Sequence, residues 1–212
     1  MQACAALELK DLVVGRGSTP VAGPLSFSLA PGESLVITGP NGCGKTTLAR
    51  CLAGVAAPLA GALQRPVNGV AFIPQSGDTD ALVPLSVDEV LRFAALSSAA
   101  NTAQSAMAAH AERAAVLDAV GLPGAQHRRF AQLSGGERQR VQIARVLLSE
   151  CPLMILDEAT SAVDAASEQM LAAAIAAHAR QRGRMALVVA HHPAAWVAAG
   201  ARLLTLNARG TP

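Results

Sequence analysis

The chain has 212 residues, 51% hydrophobic and 15% charged, and carries a formal charge of +2 from 17 basic and 15 acidic side chains. That length supports one proper core, so a single domain is expected over 1–212, with no room for a fused membrane channel. So balanced a charge gives no argument for nucleic acid, the uncharged stretch 185–201 is too broken to span a bilayer, and Cys4, Cys43, Cys51 and Cys151 lack the spacing of a zinc site.

The first residues, Met1 to Cys4, carry no basic region and soon meet Glu8, which argues against a secretory leader. Leu7 to Val13 and Leu25 to Leu29 alternate as strands, and Ala30-Pro31-Gly32-Glu33 is a turn before a buried strand, Ser34 to Thr38. Directly after it comes Gly39-Pro40-Asn41-Gly42-Cys43-Gly44-Lys45-Thr46-Thr47. Gly39, Gly42 and Gly44 allow a turn tight enough to point successive N–H groups inward, and a helix starting near Lys45 adds the positive end of its dipole. Such a loop cradles a nucleoside triphosphate, with Lys45 on the β and γ phosphates and the Thr46 hydroxyl on Mg²⁺. Lys45 and Lys10 are the only lysines in the chain.

Beyond Pro84 the pattern turns helical. Ser86-Val87-Asp88-Glu89 reads as a capping box, Ser97 to Ala109 as partly flexible linker, and Thr102 to Val120 as a helix with an apolar stripe closed by Gly121. Ser134-Gly135-Gly136 then opens a helix marked by Val141, Ile143, Ala144, Leu147 and Leu148, which makes a second phosphate-ready helix start. It lies 89 residues after Lys45, and one nucleotide has no obvious way to occupy both sites in one domain. Two copies meeting head to tail would solve this, each closing its turn over the γ phosphate held by the other.

Leu153 to Leu156 reads as a central parallel strand delivering Asp157 and Glu158 at its carboxyl end, Asp157 to hold Mg²⁺ and Glu158 to act as general base. Asp164 caps a helix that Gly183 ends after Arg182, and Met185 to Ala190 and Arg202 to Leu206 are strands. Strands alternating with helices give an α/β class. His110, His127, His178 and His192 share no ligand spacing and read as surface or capping histidines, and Trp196 as packing.

In order and spacing these motifs resemble the nucleotide-binding subunits of ATP-binding cassette (ABC) transporters over nearly the whole chain. The resemblance implies an ABC-type P-loop ATPase: a mixed-sheet core with an antiparallel β subdomain, about 1–83 and 151–212 holding nucleotide, and a helical subdomain, about 84–150. It also implies that Gln75, in Phe72-Ile73-Pro74-Gln75, senses Mg²⁺ and a permease, that Asp164, in Ser161-Ala162-Val163-Asp164, crosses to the partner, and that His191 contacts the γ phosphate. Taken alone, Gln75 is ordinary loop, Asp164 an N-cap and His191 a solvated histidine. ATP and Mg²⁺ are the implied cofactors. The implied partners are a second copy, an integral-membrane permease that brings the chain to the cytoplasmic face of the membrane, and, for an importer, a substrate-binding protein.

Three positions depart from the family pattern. Arg16 falls where an aromatic residue commonly stacks on adenine; either its guanidinium takes that role or it is solvated and apolar contact alone holds the base. Glu137 replaces the more usual glutamine. Cys43 sits inside the phosphate loop, most simply as a small residue that fits, and its alkylation is nonetheless expected to block hydrolysis, with ATP protecting. Only thirty residues separate Lys45 from Gln75, too few for the usual hairpin, and this compression resembles ATPases of zinc and manganese importers. Ala159 in Asp157-Glu158-Ala159-Thr160 leans instead toward exporters, for instance of lipoprotein, haem or drugs. Soluble ABC proteins of DNA repair or translation fit the length less well. Residues 76–93 are expected to receive a permease helix, with Asp88 and Glu89 in coupling.

Overall fold

Short apolar runs decide the core. In the computed structural model, which describes residues 6–67, 69–75, 84–94, 103–160, 163–207 and 210–211, five of them, β3 (Ser34–Thr38), β5 (Val70–Ile73), β6 (Leu153–Asp157), β7 (Met185–Val189) and β8 (Arg202–Thr205), form one sheet in the order β5-β6-β7-β3-β8. All its pairings are parallel. Strands buried on both faces read as continuous apolar runs, and the period-2 alternation sorts their side chains between two cores. Val36, Met154, Leu156, Ala186 and Val188 face the helices α4 (Gly135–Leu148) and α5 (Ala165–Arg182). Leu35, Ile37, Leu153, Ile155, Leu187 and Val189 face α1 (Lys45–Leu52) and a second sheet.

The second sheet is antiparallel, in the order β2-β1-β4, from β1 (Leu7–Arg16), β2 (Thr19–Leu29) and β4 (Ala60–Gln64). The compressed span after Lys45 therefore holds one short strand added to the edge of β1.

α2 (Val87–Ala94) and α3 (Ala103–Ala119) complete the helical side with α4. Ser86 and Glu89 form the expected reciprocal cap: Glu89 Oε2 accepts from Ser86 N–H at 2.7 Å, and Ser86 Oγ accepts from Glu89 N–H at 3.3 Å. The helix expected from Thr102 begins at Ala103, so 103–109, the later part of the partly linker span, belong to α3, where alanine, the commonest residue, has the highest helix propensity; 97–102 lie outside the described residues. α3 buries Val116, Leu117 and Val120 and ends at Gly121, whose φ of 73° lies in the left-handed region. α5 runs from an Asp164 cap to a left-handed Gly183, as its sequence signals predict. Unannounced by any sequence signal is α6 (Ala194–Ala198), a single turn after Pro193 that buries Trp196 and aims its Nε1–H at Glu168, 3.3 Å away.

Arg184 seals the C-terminal end of α4. Its guanidinium donates to Cys151 O (2.7 Å), Leu147 O (2.9 Å), Val146 O (3.1 Å) and Ser149 Oγ (3.0 Å), and the same group lies 3.1 Å from His178 Nε2. Those carbonyls are the negative end of the helix dipole, so a buried cation finds its compensation there. Burial lowers Arg184 to about 10 and, with the Arg184 charge beside it, lowers His178 to about 4. His178 is thus a half-buried neutral side chain, correcting its reading as a surface histidine.

Candidate functional site

Parallel strands place whatever follows them along one edge, and here four strand ends carry the chemistry. The phosphate loop follows β3, Gln75 follows β5, Asp157 ends β6 with Glu158 behind it, and His191 follows β7. The loop needs its glycines. A side chain at Gly39 would run into Leu206 O, and Gly44, the N-cap of α1, has φ 99° with a would-be Cβ 2.6 Å from Ala22 Cβ.

Lys45 is buried to 5% exposure and donates to Gly39 O at 2.8 Å and Pro40 O at 3.0 Å, folded back over its own loop. Thr47 is buried in α1, while Pro40, Asn41 and Gly42 are exposed at the loop crest. Cys43 is 2% exposed, packed with Leu206 and Leu48. A small thiol buried under the loop agrees with its reading as a residue that simply fits there.

Thr46 Oγ1 donates to Asp157 Oδ1 at 3.2 Å. The second oxygen of this fully buried carboxylate, Oδ2, has no hydrogen-bond partner, and burial raises the Asp157 pKa. A hydroxyl beside a buried carboxylate with one oxygen unspent suits a hard cation that takes oxygen ligands, so the residues present fit Mg²⁺. Among the described residues no cluster of three or more His, Cys, Asp or Glu forms a metal site.

Glu158 is held from three sides. Its backbone, at φ 53°, donates to Val189 O at 3.0 Å; its Oε2 accepts from Gln75 Nε2 at 2.6 Å; and its Oε1 lies 3.0 Å from His191 Nε2. A non-glycine residue in the left-handed region persists only where its surroundings over-determine it. The Glu158 side chain is 11% exposed and His191 42%. The sequence offered no sign that Gln75 and His191 would meet on one carboxylate.

Other predicted residues lie apart from this cluster. Ser134 caps α4 in a full capping box: Glu137 Oε2 accepts from Ser134 N–H at 2.8 Å and Ser134 Oγ accepts from Glu137 N–H at 3.2 Å. Gly135 is exposed and Gly136 half-buried. Arg128 grips Glu137 with both nitrogens, at 2.6 and 3.2 Å, and this grip with the Ser134 amide lowers Glu137 to about 2. Asp164 accepts from Ser167 N–H at 2.8 Å and Ser167 Oγ at 3.0 Å, and Arg140 of α4 donates to that same hydroxyl at 2.6 Å. Ser161 and Ala162 lie outside the described residues. Arg16 is exposed at the end of β1.

Of the segment expected to receive a permease helix, 76–83 lie outside the described residues. Asp88 is taken up by Arg113 at 2.6 Å and Glu89 by its own cap, so both carboxylates hold α2 in place. Phe93, 60% exposed, is the open apolar group of α2.

The profile of the ABC transporter family matches residues 22–161. The chain is 40% identical over 185 residues to the cytochrome c biogenesis ATP-binding export protein CcmA of Rhodobacter capsulatus, covering 87% of this chain and 80% of that protein. It is 37% identical over 206 residues to the zinc import ATP-binding protein ZnuC of Cereibacter sphaeroides, covering 95% and 80%. Among solved structures, the ATP-binding subunit of an ABC transporter superposes with a TM-score of 0.78 at 25% identity, covering 98% of this chain and 88% of that one.

Proposed function

The chain belongs to the ABC transporter family and is an ATPase, and from that premise we propose that it drives a separate permease from the cytoplasmic face of the membrane as a head-to-tail homodimer. The observation that carries this reading is the meeting of Gln75, Asp157, Thr46, Glu158 and His191 along one sheet edge beside the phosphate loop. No helix among the described residues is long and apolar enough to cross a membrane, so contact with the permease is through a docked face.

In this reading residues 39–47 wrap the triphosphate, and Lys45 exchanges its two loop carbonyls for the β and γ phosphates. Thr46 and Asp157, with Gln75 beside them, would hold Mg²⁺, which would supply positive charge to the phosphates. Glu158 takes the proton of the attacking water, oriented by Gln75 and His191, and His191 reaches the γ phosphate. The partner's Ser134-Gly135-Gly136 turn and the segment leading to Asp164 close the other side. ATP favours the closed dimer by its differential affinity, hydrolysis reopens it, and the permease follows. Residues 1–83 and 151–212 form the nucleotide-holding part and 84–150 the part that faces the permease, with Phe93 at the contact. Arg16 stacks on adenine; an unchanged ATP dissociation constant in Arg16→Ala would remove that contact.

Export is the favoured direction, supported by the 40% identity to the CcmA protein and by Ala159. Import, with a substrate-binding protein, is the second reading, supported by the likeness to ZnuC. A deletion strain separates them: lost cytochrome c maturation with normal zinc requirement supports export, and the reverse supports import. The dimer itself is tested by the mass of Glu158→Gln in solution with and without Mg-ATP. Doubling with ATP is expected; a nucleotide-bound monomer at all concentrations, with or without permease, would defeat the head-to-tail reading.

A further inference from the structure

The turn that begins α4 carries an acid where the proposed dimer brings a triphosphate. Glu137 reaches back so far that its Oε2 sits 2.8 Å from Ser134 N, which places a carboxylate on the rim of the Ser134-Gly135-Gly136 turn. An acid in the first turn suits the helix dipole, yet it repels any further anion arriving at the same amides.

Arg128 answers that conflict. Its guanidinium meets Glu137 as a fork, Nη1 on Oε1 at 2.6 Å and Nη2 on Oε2 at 3.2 Å, so both carboxylate oxygens are engaged and the charge is cancelled in place. The backbone that presents Arg128 is itself pinned. Arg128 O accepts from Val87 N–H at 3.0 Å, Leu85 O accepts from Phe130 N–H at 2.9 Å, and Arg129 bridges to Ser86. The cation therefore reaches the turn from a strap tied to the start of α2.

We propose that Arg128 is a positioning residue for ATP-dependent closure: by clamping and neutralising Glu137, it keeps the Ser134 turn receptive to a triphosphate presented by a second copy of the chain. The inference rests on the head-to-tail reading above. A lysine at 128 would supply the charge without the fork and so hold the carboxylate less firmly.

The test uses the full chain in the Glu158→Gln background, reading by light scattering the ATP concentration that half-converts monomer to dimer. Arg128→Ala raises that concentration by roughly tenfold, the effect of one uncompensated charge near a phosphate, and Arg128→Lys falls between. Adding Glu137→Gln to Arg128→Ala removes the stranded charge and returns the midpoint to within about threefold of the parent. A fork that matters only for stiffness gives no such rescue, because glutamine can keep the cap to Ser134 N–H but cannot restore the fork. With the parent dimerising, a double variant no better than Arg128→Ala, or an Arg128→Ala midpoint equal to the parent's, overturns the proposal and leaves the dimer reading standing. A parent that never dimerises overturns both. Arg128 is 47% exposed, and melting curves verify that each variant is folded, with Arg128→Gln repeating the comparison.

Discussion

Two helices of this chain begin in glycine-bearing turns, and the turns are built differently. α1 starts at Gly44 without a side-chain cap, in a loop closed by its own lysine, with Thr46, Asp157, Glu158, Gln75 and His191 gathered beyond it. α4 starts at Ser134 with a complete capping box, an exposed Gly135, and hydrogen bonds that run to its own helix and to Arg128. The first is furnished by several strand ends of the same chain; the second is satisfied by its own side chains, and only the proposed dimer brings a phosphate to it. An uncapped helix start is therefore the better sign of a pocket, and a capped one with a bare glycine behind it the better sign of a docking face.

The largest break to that contrast is Lys45→Ala. Removing one preorganised cation from a phosphoryl-transfer site costs roughly 10²- to 10³-fold in turnover. Stability should hardly move, because the acceptors Lys45 leaves behind, Gly39 O and Pro40 O, sit in a loop that reaches solvent. Steady-state ATPase assays and melting curves check both halves, and turnover within a few-fold of the parent would mean that the loop backbone alone carries the charge.

Gly135→Asp sharpens the contrast from the other side, with a smaller effect. A Cβ at Gly135 meets nothing within 4 Å, and an acid in the first turn of a helix is worth about 0.3–1 kcal/mol to the fold. The melting temperature should hold or rise while hydrolysis falls about tenfold or more, since the new carboxylate would lie on the face proposed to receive the partner's phosphate. Full activity in a folded Gly135→Asp protein would show that nothing anionic docks at this turn.

Local chemistry was the legible part of this chain. The glycine loop, the strand ending in Asp157, the boxes at Ser86 and Ser134, and the run from Asp164 to Gly183 all announce themselves through residues a few positions apart. What the sequence hid are bonds between residues far apart in the chain: Gln75 and His191 on Glu158, Arg140 on Ser167, Arg184 across the end of α4. No periodicity encodes which arginine will face which carbonyl, so these follow only once the sheet order is known. The alanine-rich start of α3 was ambiguous for another reason: its composition suits both a linker and a helix, and packing of the later turns decides.

The smallest expected effect lies at the opposite end of α4, where the helix is sealed. Arg184 satisfies the last carbonyls there and faces His178, which is also approached by the charges of Arg182 and, with opposite sign, Glu112. With its pKa lowered to about 4 from an ordinary 6.5, His178 stays neutral in the fold while the unfolded chain takes up a proton. Between those two values the unfolded state binds more protons, so stability rises with pH. It is complete above about 6.5, declines as the pH falls toward 4, and loses nothing more from this group below that. Glu137, lowered from 4.5 to about 2, begins its own loss only below about 4.5, so the two windows meet only near the acid end of the His178 range. Melting curves from pH 7 to pH 4 should fall more steeply for the parent than for His178→Asn, which keeps a polar partner for Arg184 but carries no titrating proton. Parallel curves would mean that the helix end opens enough in the fold for His178 to charge freely, and the seal at Arg184 would then be looser than its four hydrogen bonds to Cys151, Leu147, Val146 and Ser149 imply.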